Sequence, residues 1–372
     1  MQNVILSFRQ PGRQQYVGGV STVINNYLEK AELFRNSGIE LSLYNYEPGK
    51  LYSYVKSSKI KNALFGIGQI KNTKKIIINP EATIFHIHTS REFLFLKDII
   101  LAAYVKRKFR GVRVMITIHV GSIDTVYNRI SFFKRRTLEL MNKYVDHIFF
   151  LSNSIMEEFC STGFLRDKCS VLYNFHSLSN FSAPRTTNIQ KMNMVFLGSI
   201  HREKGIMDLL RALQDLNDKI DYHLDVCGMI TDKSIEDEFN DILKRNPQIT
   251  LRGYVRGNEK EDLLNNADVL ILPSYHEGLP LVILEALAAG CAIVATKVGA
   301  IPEILTDENV VWVNIGDPNS IKDAMVYLMN NQDKLRNMKL CNYQLSRNFS
   351  IEEHINKLCR EYVKGVGQSD VE

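Results

Sequence analysis

The stretch DVLILPSYHEGLPLVILEALAAGCAIVAT, at residues 268–296, decides how this part of the chain folds. A short apolar run is followed by a loop with Gly278 and Pro280, an apolar segment near 281–289, and a second run, AIVAT, that ends at Thr296. Short β-branched runs on either side of a helical segment are typical of a strand–helix–strand unit with parallel strands. We therefore predict a parallel α/β sheet here.

The same alternation of strand and helix extends in both directions from this unit. The later part of the chain contains MVFLG, YHLDVCG and ITLRGYV, and the earlier part begins with NVILSF at 3–8 and continues with IELSLYNY, TIFHIH, VRVMITI, HIFFL and CSVLY. Between the two series, residues 177–191 are rich in Ser, Thr, Asn and Pro, which indicates a linker. Two doubly wound α/β domains are predicted.

The length of 372 residues fits two domains of similar size. We place an N-terminal domain at 1–178, a C-terminal domain at 191–350 and a final helix at 351–372 that packs back on the N-terminal domain. Ligands of such sheets bind outside the carboxyl ends of the strands. We therefore expect a binding cleft that both domains face.

The composition is that of an ordinary globular protein, with 45% hydrophobic and 23% charged residues. The six cysteines are widely spaced without a C-x-x-C pair, which favours neither a disulfide framework nor a zinc site. The apolar stretch at the start is too short for a signal peptide, and no window reaches about 18 uninterrupted apolar residues. A cytoplasmic location is expected.

Charge is distributed unevenly between the two halves of the chain. Residues 1–180 carry a net charge of +12 and the remainder carries −7. Much of the excess lies at 106–113 and 129–136, where basic residues, including Lys134, Arg135 and Arg136, are interleaved with Phe109, Phe132 and Phe133. Such clusters attract anionic membranes or nucleic acid, although a solvated helix face has the same pattern. Because no nucleic-acid module is recognisable, we expect an anionic membrane surface as the partner.

Two common cofactor sites are excluded by their missing motifs. The G-x-G at Gly66 and Gly68 does not lie between a first strand and its helix, and there is no G-x-x-x-x-G-K-[ST] loop. The chain also lacks D-x-D, the spacing with which two carboxylates hold a divalent ion against a diphosphate. A bound diphosphate must therefore be neutralised by protein donors and helix dipoles, and we expect neither a metal nor a cofactor.

Such donors follow three of the predicted strands. Gly18 and Gly19 precede a helix predicted over 20–37, where backbone N–H groups are open to an anion, although Gly-Gly is also an ordinary loop. The corner at 198–205 combines two glycines with Arg202 and Lys204.

The third cluster is the richest and lies in the opening stretch. Gly278 and Pro280 precede the helix near 281–289, and Pro in the first helical turn leaves the following N–H groups free. Glu277 lies before this helix and Glu285 near its second turn, from which a carboxylate can reach a ribose diol.

Together these motifs resemble the family-four retaining glycosyltransferases of GT-B fold. The resemblance is carried by HEGLPLVILEALAAGCAIVATKVGAIPEIL at 276–305, LGSIHREKGIMDLLRAL at 197–213, YVGGVSTVINNYL at 16–28, and the histidine sites at 85–88 and 117–119. It implies two Rossmann-like domains that face each other across a cleft. It also implies transfer of a sugar, with retained anomeric configuration, from a nucleotide diphosphate sugar to an acceptor hydroxyl, without a metal.

The resemblance further implies a setting and a set of site residues. Enzymes of this kind build capsule, O-antigen or exopolysaccharide on a glycan or a polyprenyl-diphosphate-linked acceptor, which suggests a peripheral position on the inner membrane face. The residues that match the family's catalytic positions are Lys204, Glu277 and His119. Those that match or lie at its donor-binding positions are Gly18, Gly19, Ser199, Arg202, Leu281, Val282 and Glu285.

One position departs from the family's pattern. The family usually has Arg directly after the strand-end glycine, where this chain has Ser199. Either Arg202 replaces the missing charge or Lys204 acts alone.

A double displacement needs a carboxylate nucleophile, and no convincing candidate is found at the strand ends of the first domain. The family implies instead a front-face route, in which the leaving phosphate helps to deprotonate the acceptor and His119 polarises or positions rather than acting as a base. A nucleotide-sugar epimerase and a catalytically weak binding subunit of the same fold remain as alternatives.

Overall fold

The chain divides into two compact units. Unit 1 comprises Met1–Tyr173 and Glu352–Glu372, and unit 2 comprises Asn174–Ile351. The computed structural model describes residues 1–8, 19–45, 77, 79–89, 92–119, 139–177, 183–184, 187–214, 216 and 220–364, except for the side chains of 92–97.

Unit 1 is built on a sheet of six parallel strands in the order β2-β1-β3-β4-β5-β6. Every residue of β3 is buried, as expected of a strand that is covered on both faces of a parallel sheet. The strands are β1 (Gln2–Phe8), β2 (Ile39–Asn45), β3 (Thr83–Thr89), β4 (Arg113–Ile118), β5 (His147–Phe150) and β6 (Cys169–Val171).

Unit 2 repeats this architecture with the strand order β12-β11-β10-β7-β8-β9, again all parallel. The opening stretch of the sequence analysis supplies β10 and β11, which pair directly. The strands are β7 (Lys191–Leu197), β8 (Asp221–Cys227), β9 (Ile249–Gly253), β10 (Val269–Leu272), β11 (Ala292–Thr296) and β12 (Val310–Val313).

The helices of the described residues alternate with these strands. They are α1 (Gly19–Glu29), α2 (Ala31–Asn36), α3 (Glu92–Lys108), α4 (Asn153–Ser161), α5 (Ile206–Gln214), α6 (Glu236–Arg245), α7 (Asn258–Asn266), α8 (Leu281–Ala288), α9 (Ile301–Ile304), α10 (Pro318–Asn330), α11 (Gln332–Leu345) and α12 (Ile351–Val363). The described helices all fall short of the length and apolarity that a membrane crossing requires.

The prediction of two parallel α/β domains is confirmed, with one difference in detail. The single helix expected over 20–37 is two helices that meet at Lys30. The amide of Lys30 closes α1 on the Asn26 carbonyl oxygen at 3.0 Å, and its own carbonyl accepts from Leu33 at 3.0 Å in a tighter turn. The apolar periodicity continues across this break, so it could not reveal that the helix is divided at Lys30.

A buried ion pair fixes the start of β10 in unit 2. Lys339 Nζ lies 2.9 Å from Asp268 Oδ1, and both side chains are at most 3% exposed. The second carboxylate oxygen of Asp268 accepts from the Asn193 amide at 3.0 Å. Because each charge is paired and hydrogen-bonded, the pair is tolerated in the core, and it ties α11 to β10 and β7.

Candidate functional site

Three neighbouring strands of unit 2 bring the predicted donor residues to one edge of the sheet. Strands β7, β10 and β11 are adjacent and parallel, so their carboxyl ends lie together. Lys204 follows β7, Glu277 follows β10, and Gly299 follows β11. The topology therefore gathers residues that are far apart in the sequence.

Glycines allow these loops to approach one another closely. Gly205 has a φ of +69°, and a Cβ there would overlap the carbonyl oxygen of Pro273. It directly follows a 3-10 turn at Arg202–Lys204. The amide of Tyr275 donates to the Glu203 carbonyl at 2.8 Å. The loop after β7 is thus held against the loop after β10, and this contact places Lys204 close to the loop that carries Glu277.

Lys204 and Glu277 form the first charge pair of the site. Lys204 Nζ lies 2.5 Å from Glu277 Oε1, and the two side chains are 23% and 8% exposed. Gly299 fixes the backbone of Glu277, because its φ is +56° and a Cβ would overlap the carbonyl oxygens of Glu277 and Gly278. The amide of Ala300 also donates to Gly278 at 2.8 Å.

A second charge pair joins Lys260 of α7 to Glu285 of α8. Lys260 Nζ lies 2.5 Å from Glu285 Oε1, and the side chains are 19% and 5% exposed. A carboxylate accepts several hydrogen bonds, so the Lys260 contact does not exhaust the acceptor capacity of Glu285. Both predicted glutamates therefore carry a lysine partner.

The amino end of α8 supplies backbone donors near these pairs. Pro280 precedes the helix with extended dihedrals, and the helix begins at Leu281. The first N–H groups of an α-helix have no intrahelical carbonyl partner, and here they belong to Leu281 and Val282. The helix dipole adds positive potential at this end. The predicted use of these amides is compatible with the geometry of this helix.

Ser199 and Arg202 lie in the same corner but differ in exposure. Ser199 is buried directly after β7, whereas Arg202 is exposed in the first position of the 3-10 turn. The backbone amide of Arg202 donates to the Asp232 carboxylate. Burial raises the pKa of Tyr275, and the positive charge of Arg202 opposes this rise. Arg202 therefore lies at the edge of the corner, and its use in place of an Arg at Ser199 stays a prediction.

In unit 1, His119 lies directly after β4 and contacts the neighbouring strand. Its amide donates to the Thr89 carbonyl at 2.9 Å. Its Nε2 lies 3.0 Å from Nδ1 of His88, and the two rings stack with centroids 5.3 Å apart. Burial lowers the pKa of His119 to about 4, so the ring is neutral at pH 7.

The His119–His88 contact adjoins a buried network of neutral rings. His86 Nδ1 lies 2.5 Å from the Tyr362 hydroxyl and His86 Nε2 lies 2.8 Å from Thr117 Oγ1. The Tyr27 hydroxyl lies 2.5 Å from Nε2 of His354. Burial, followed by the neighbouring histidines, lowers the pKa of His86 to about 3. The network ties α12 and α1 to the sheet of unit 1.

The remaining predictions for unit 1 fall partly outside the described residues. Gly18 lies outside them, as do Lys134, Arg135 and Arg136. Gly19 is the first residue of α1, and a Cβ at this position would have no described atom within 4 Å. In the described part of the chain, no cluster of three His, Cys, Asp or Glu residues has the arrangement to hold a metal ion.

Several site residues were missed by the sequence analysis. Lys260 gave no signal, because its partner is 25 residues away and a Lys in a helical turn is ordinary. Gly299 could have been found, since a Gly in the loop that follows a predicted strand favours a positive φ or a close approach. Tyr27, His354 and Tyr362 had no local pattern that connects them with His86 or His88.

Comparison with known proteins matches unit 2 to a family. Residues 191–331 match the family described as Glycosyl transferases group 1. An uncharacterized glycosyltransferase of Methanocaldococcus jannaschii is 29% identical over 185 residues, which are 46% of this chain and 47% of that protein. The chain thus spans about half the length of this relative. An uncharacterized 41.2 kDa protein in the cps region of Klebsiella pneumoniae is 25% identical over 327 residues, 83% of this chain and 86% of that protein.

Solved structures share the fold over nearly the whole chain. Sucrose-phosphate synthase from Thermosynechococcus elongatus has a TM-score of 0.75 at 14% identity and covers 97% of this chain and 98% of its own. The HepE protein of Anabaena, in complex with UDP and glucose, has a TM-score of 0.72 at 14% identity and covers 98% of this chain and 100% of its own. Residues 191–331 therefore match the Glycosyl transferases group 1 family, and the chain has the GT-B fold of these solved structures.

Proposed function

We propose that the protein transfers a sugar, with retention, from a nucleotide diphosphate sugar to an acceptor hydroxyl during synthesis of a surface polysaccharide. The observation that carries this proposal is the pair of Lys–Glu contacts, Lys204–Glu277 and Lys260–Glu285, beside the amino end of α8. A relative in a cps region supports the polysaccharide, and a structural neighbour in complex with UDP supports the nucleotide.

In the free protein Lys204 pairs with Glu277, and the donor diphosphate competes with Glu277 for the ammonium group of Lys204. Lys204 then donates to a phosphate oxygen, and the amides of Leu281 and Val282 add uncharged donors. Fixed positive potential at the leaving phosphate stabilises the charge that grows there in the transition state. Glu277 is left to accept hydrogen bonds from sugar hydroxyls.

The ribose diol binds at Glu285. Its Oε1 is occupied by Lys260, so the diol donates to Oε2. Lys260 keeps the buried carboxylate compensated whether or not a nucleotide is present. Among the residues of unit 1, Gly18, Gly19 and His119 remain proposed contacts of the donor.

The reaction is proposed to need neither a metal nor a cofactor. Lys204 and the helix dipole at Leu281 provide the positive charge that a divalent ion supplies in other transferases. Retention is proposed to follow a front-face route, in which the departing phosphate oxygen takes the proton of the acceptor hydroxyl as the new glycosidic bond forms.

The acceptor is proposed to be a glycan or a polyprenyl-diphosphate-linked glycan at the inner face of an anionic membrane. The charge of +12 over residues 1–180 supports this, since each Lys or Arg near such a surface contributes about 1 kcal/mol. Sedimentation with phosphatidylglycerol vesicles should show binding that weakens in about 0.5 M salt, because the Debye length shortens. Equal binding to neutral vesicles, or none to anionic ones, would favour a soluble acceptor.

A transfer assay with the purified protein and a panel of nucleotide sugars tests the proposed function. A retaining transfer predicts two products, a nucleoside diphosphate and a glycoside with the anomeric configuration of the donor sugar. NMR coupling constants report this configuration. An epimerised nucleotide sugar as product would identify an isomerase. Tight nucleotide binding without any turnover, across a broad acceptor panel, would identify a binding subunit.

A further inference from the structure

His88 contacts His119 through one ring nitrogen, while its other ring nitrogen lacks a hydrogen-bond partner among the described residues. His88 is 3% exposed, and its Nδ1 lies 3.0 Å from His119 Nε2. Its other nitrogen, Nε2, is buried and finds no hydrogen-bond partner among the described residues. The ring is packed between His86, at 4.4 Å between centroids, and Tyr27, at 6.0 Å. The surroundings hold the ring in place but satisfy only one of its nitrogens.

A hydrogen bond between two neutral imidazoles has two forms. Either His88 carries its proton on Nδ1 and donates, or His119 carries its proton on Nε2 and donates. Both rings are neutral, because burial lowers the pKa of His119 to about 4 and that of His88 well below its usual range. The choice between the two forms decides whether His119 carries its proton on Nε2, toward His88, or on Nδ1, the other ring nitrogen.

The unpartnered Nε2 of His88 decides between these forms. If His119 donates, the proton of His88 must sit on Nε2, where it is a buried N–H without an acceptor. If His88 donates, Nε2 is a bare acceptor. Buried N–H groups without a partner are rarer in folded proteins than acceptors that lack a donor. The geometry therefore favours donation from His88.

We propose that His88 is a positioning residue that holds His119 in the tautomer protonated at Nδ1. His119 then presents a hydrogen-bond donor to the substrate and cannot act as a base at that atom. The use of this donor in transfer rests on the proposed function, whereas the tautomer does not. His119 is only partly buried, whereas His88 is buried, so His119 is the ring of the pair that we expect to contact a ligand.

The tautomer is measured directly by long-range ¹H–¹⁵N NMR of the full chain with ¹⁵N-labelled histidine at pH 7.5. A His119→Asn variant assigns the signals. We expect His119 Nδ1 to be protonated and Nε2 to be unprotonated in the wild-type protein. Protonation of Nε2 in the wild type would overturn the inference without any further variant.

Variants of His88 test the causal link. His88→Phe keeps the ring volume but removes the donor, so the His119 signals should move toward protonation at Nε2. His88→Asn places an amide donor near the position of Nδ1 and should restore the wild-type pattern. His86→Phe is the matched control, since it removes a buried imidazole of the same strand that does not bond to His119. Unchanged His119 signals in a folded His88→Phe protein would contradict the proposal.

Kinetics separate positioning from a merely structural role. His88→Phe should lower kcat roughly tenfold with little change in the KM for the donor, and His88→Asn should recover most of this loss. An equal loss in both variants would show that His88 acts through packing alone. If no donor is turned over, the proposed function fails while the NMR result stands. If transfer proceeds and His119 is protonated at Nε2, only this inference fails.

Discussion

The two units present different chemistry at the carboxyl ends of very similar sheets. In unit 1, neutral rings and hydroxyls contact one another, as in the pairs His88–His119 and His86–Tyr362. In unit 2, ammonium and carboxylate groups contact one another, as in Lys204–Glu277 and Lys260–Glu285. Among the described residues, the contacts named in unit 1 therefore join uncharged groups, and those named in unit 2 join charged groups.

This contrast is opposite to the balance of charge in the sequence. Residues 1–180 carry +12, yet His86 and His119 of unit 1 remain uncharged at pH 7, because burial lowers the pKa of each ring. A count of charges describes the surface, whereas the strand ends are decided by burial and partners. A charged pair can exchange one partner for an anionic ligand, and for this reason we propose that the donor binds at the charged pairs of unit 2.

The largest expected effect is a loss of stability of unit 1 in acid. The folded-state pKa is about 3 for His86 and His354 and about 4 for His119, below the unfolded value near 6.5. The stability that these neutral histidines contribute is therefore complete above pH 6.5, and it is lost as the pH falls from 6.5 toward 4. At pH 5 each costs about 2 kcal/mol of unfolding free energy.

Urea unfolding at pH 7.5 and pH 5.0 measures this difference between the units. The only tryptophan, Trp312, lies in β12, so its fluorescence follows unit 2, while far-UV circular dichroism follows both units. The dichroism midpoint should fall further than the fluorescence midpoint. His354→Phe should shrink the pH difference. Equal shifts of both midpoints would show that the histidine network does not titrate as described.

The next largest effect is expected from removal of the cation proposed to bind the donor phosphate, Lys204. Lys204→Ala should lower kcat by about 10- to 100-fold, because a hydrogen bond to a charged group contributes about 1.5–3 kcal/mol. Steady-state kinetics with saturating donor measure it. Lys244→Ala is the control, since that side chain is 76% exposed on the same unit. Wild-type turnover in Lys204→Ala would remove Lys204 from the site.

A smaller effect is expected at the proposed ribose contact. Glu285→Ala should raise the donor Kd roughly tenfold and lower kcat less than Lys204→Ala does, since the diol does not change charge during transfer. Isothermal titration with the donor measures the change in Kd. The exposed Glu308→Ala serves as control. A kcat loss as large as that of Lys204→Ala, at unchanged Kd, would place Glu285 at the reacting sugar instead.

No effect is expected from removal of divalent ions. In the proposed site Lys204 provides the cation for the diphosphate, so transfer rates should be equal with and without excess EDTA. Loss of activity in EDTA that Mg²⁺ or Mn²⁺ restores would show that the counter-charge of the diphosphate is a metal.

The fold could be predicted from the sequence because its signals are local. The runs DVLILP and AIVAT around an apolar helix became β10, α8 and β11, and both series of strands formed parallel sheets. The break at Lys30 could not be predicted, since one face of the helix stays apolar across it.

The candidate site could be predicted only where one motif contained the whole signal. Glu277, Glu285 and Lys204 were found because each lies at a strand-to-helix corner. Their partners could not be found in the same way, because Lys260–Glu285 and His88–His119 join residues 25 and 31 positions apart. Such pairs are created by the order of strands in the sheet, which a single sequence does not reveal.

Donor binding by unit 2 is tested most directly by a thermal-shift panel of UDP-, GDP- and ADP-sugars on the intact chain. A ligand that binds only the folded protein stabilises it by RT ln(1 + [L]/Kd), about 2.7 kcal/mol at a hundredfold excess over Kd. We predict that at least one nucleotide sugar raises Tm in the wild type and that Glu285→Ala loses most of this rise. No rise with any nucleotide sugar, or an equal rise in Glu285→Ala, would contradict a donor site at the charged pairs of unit 2.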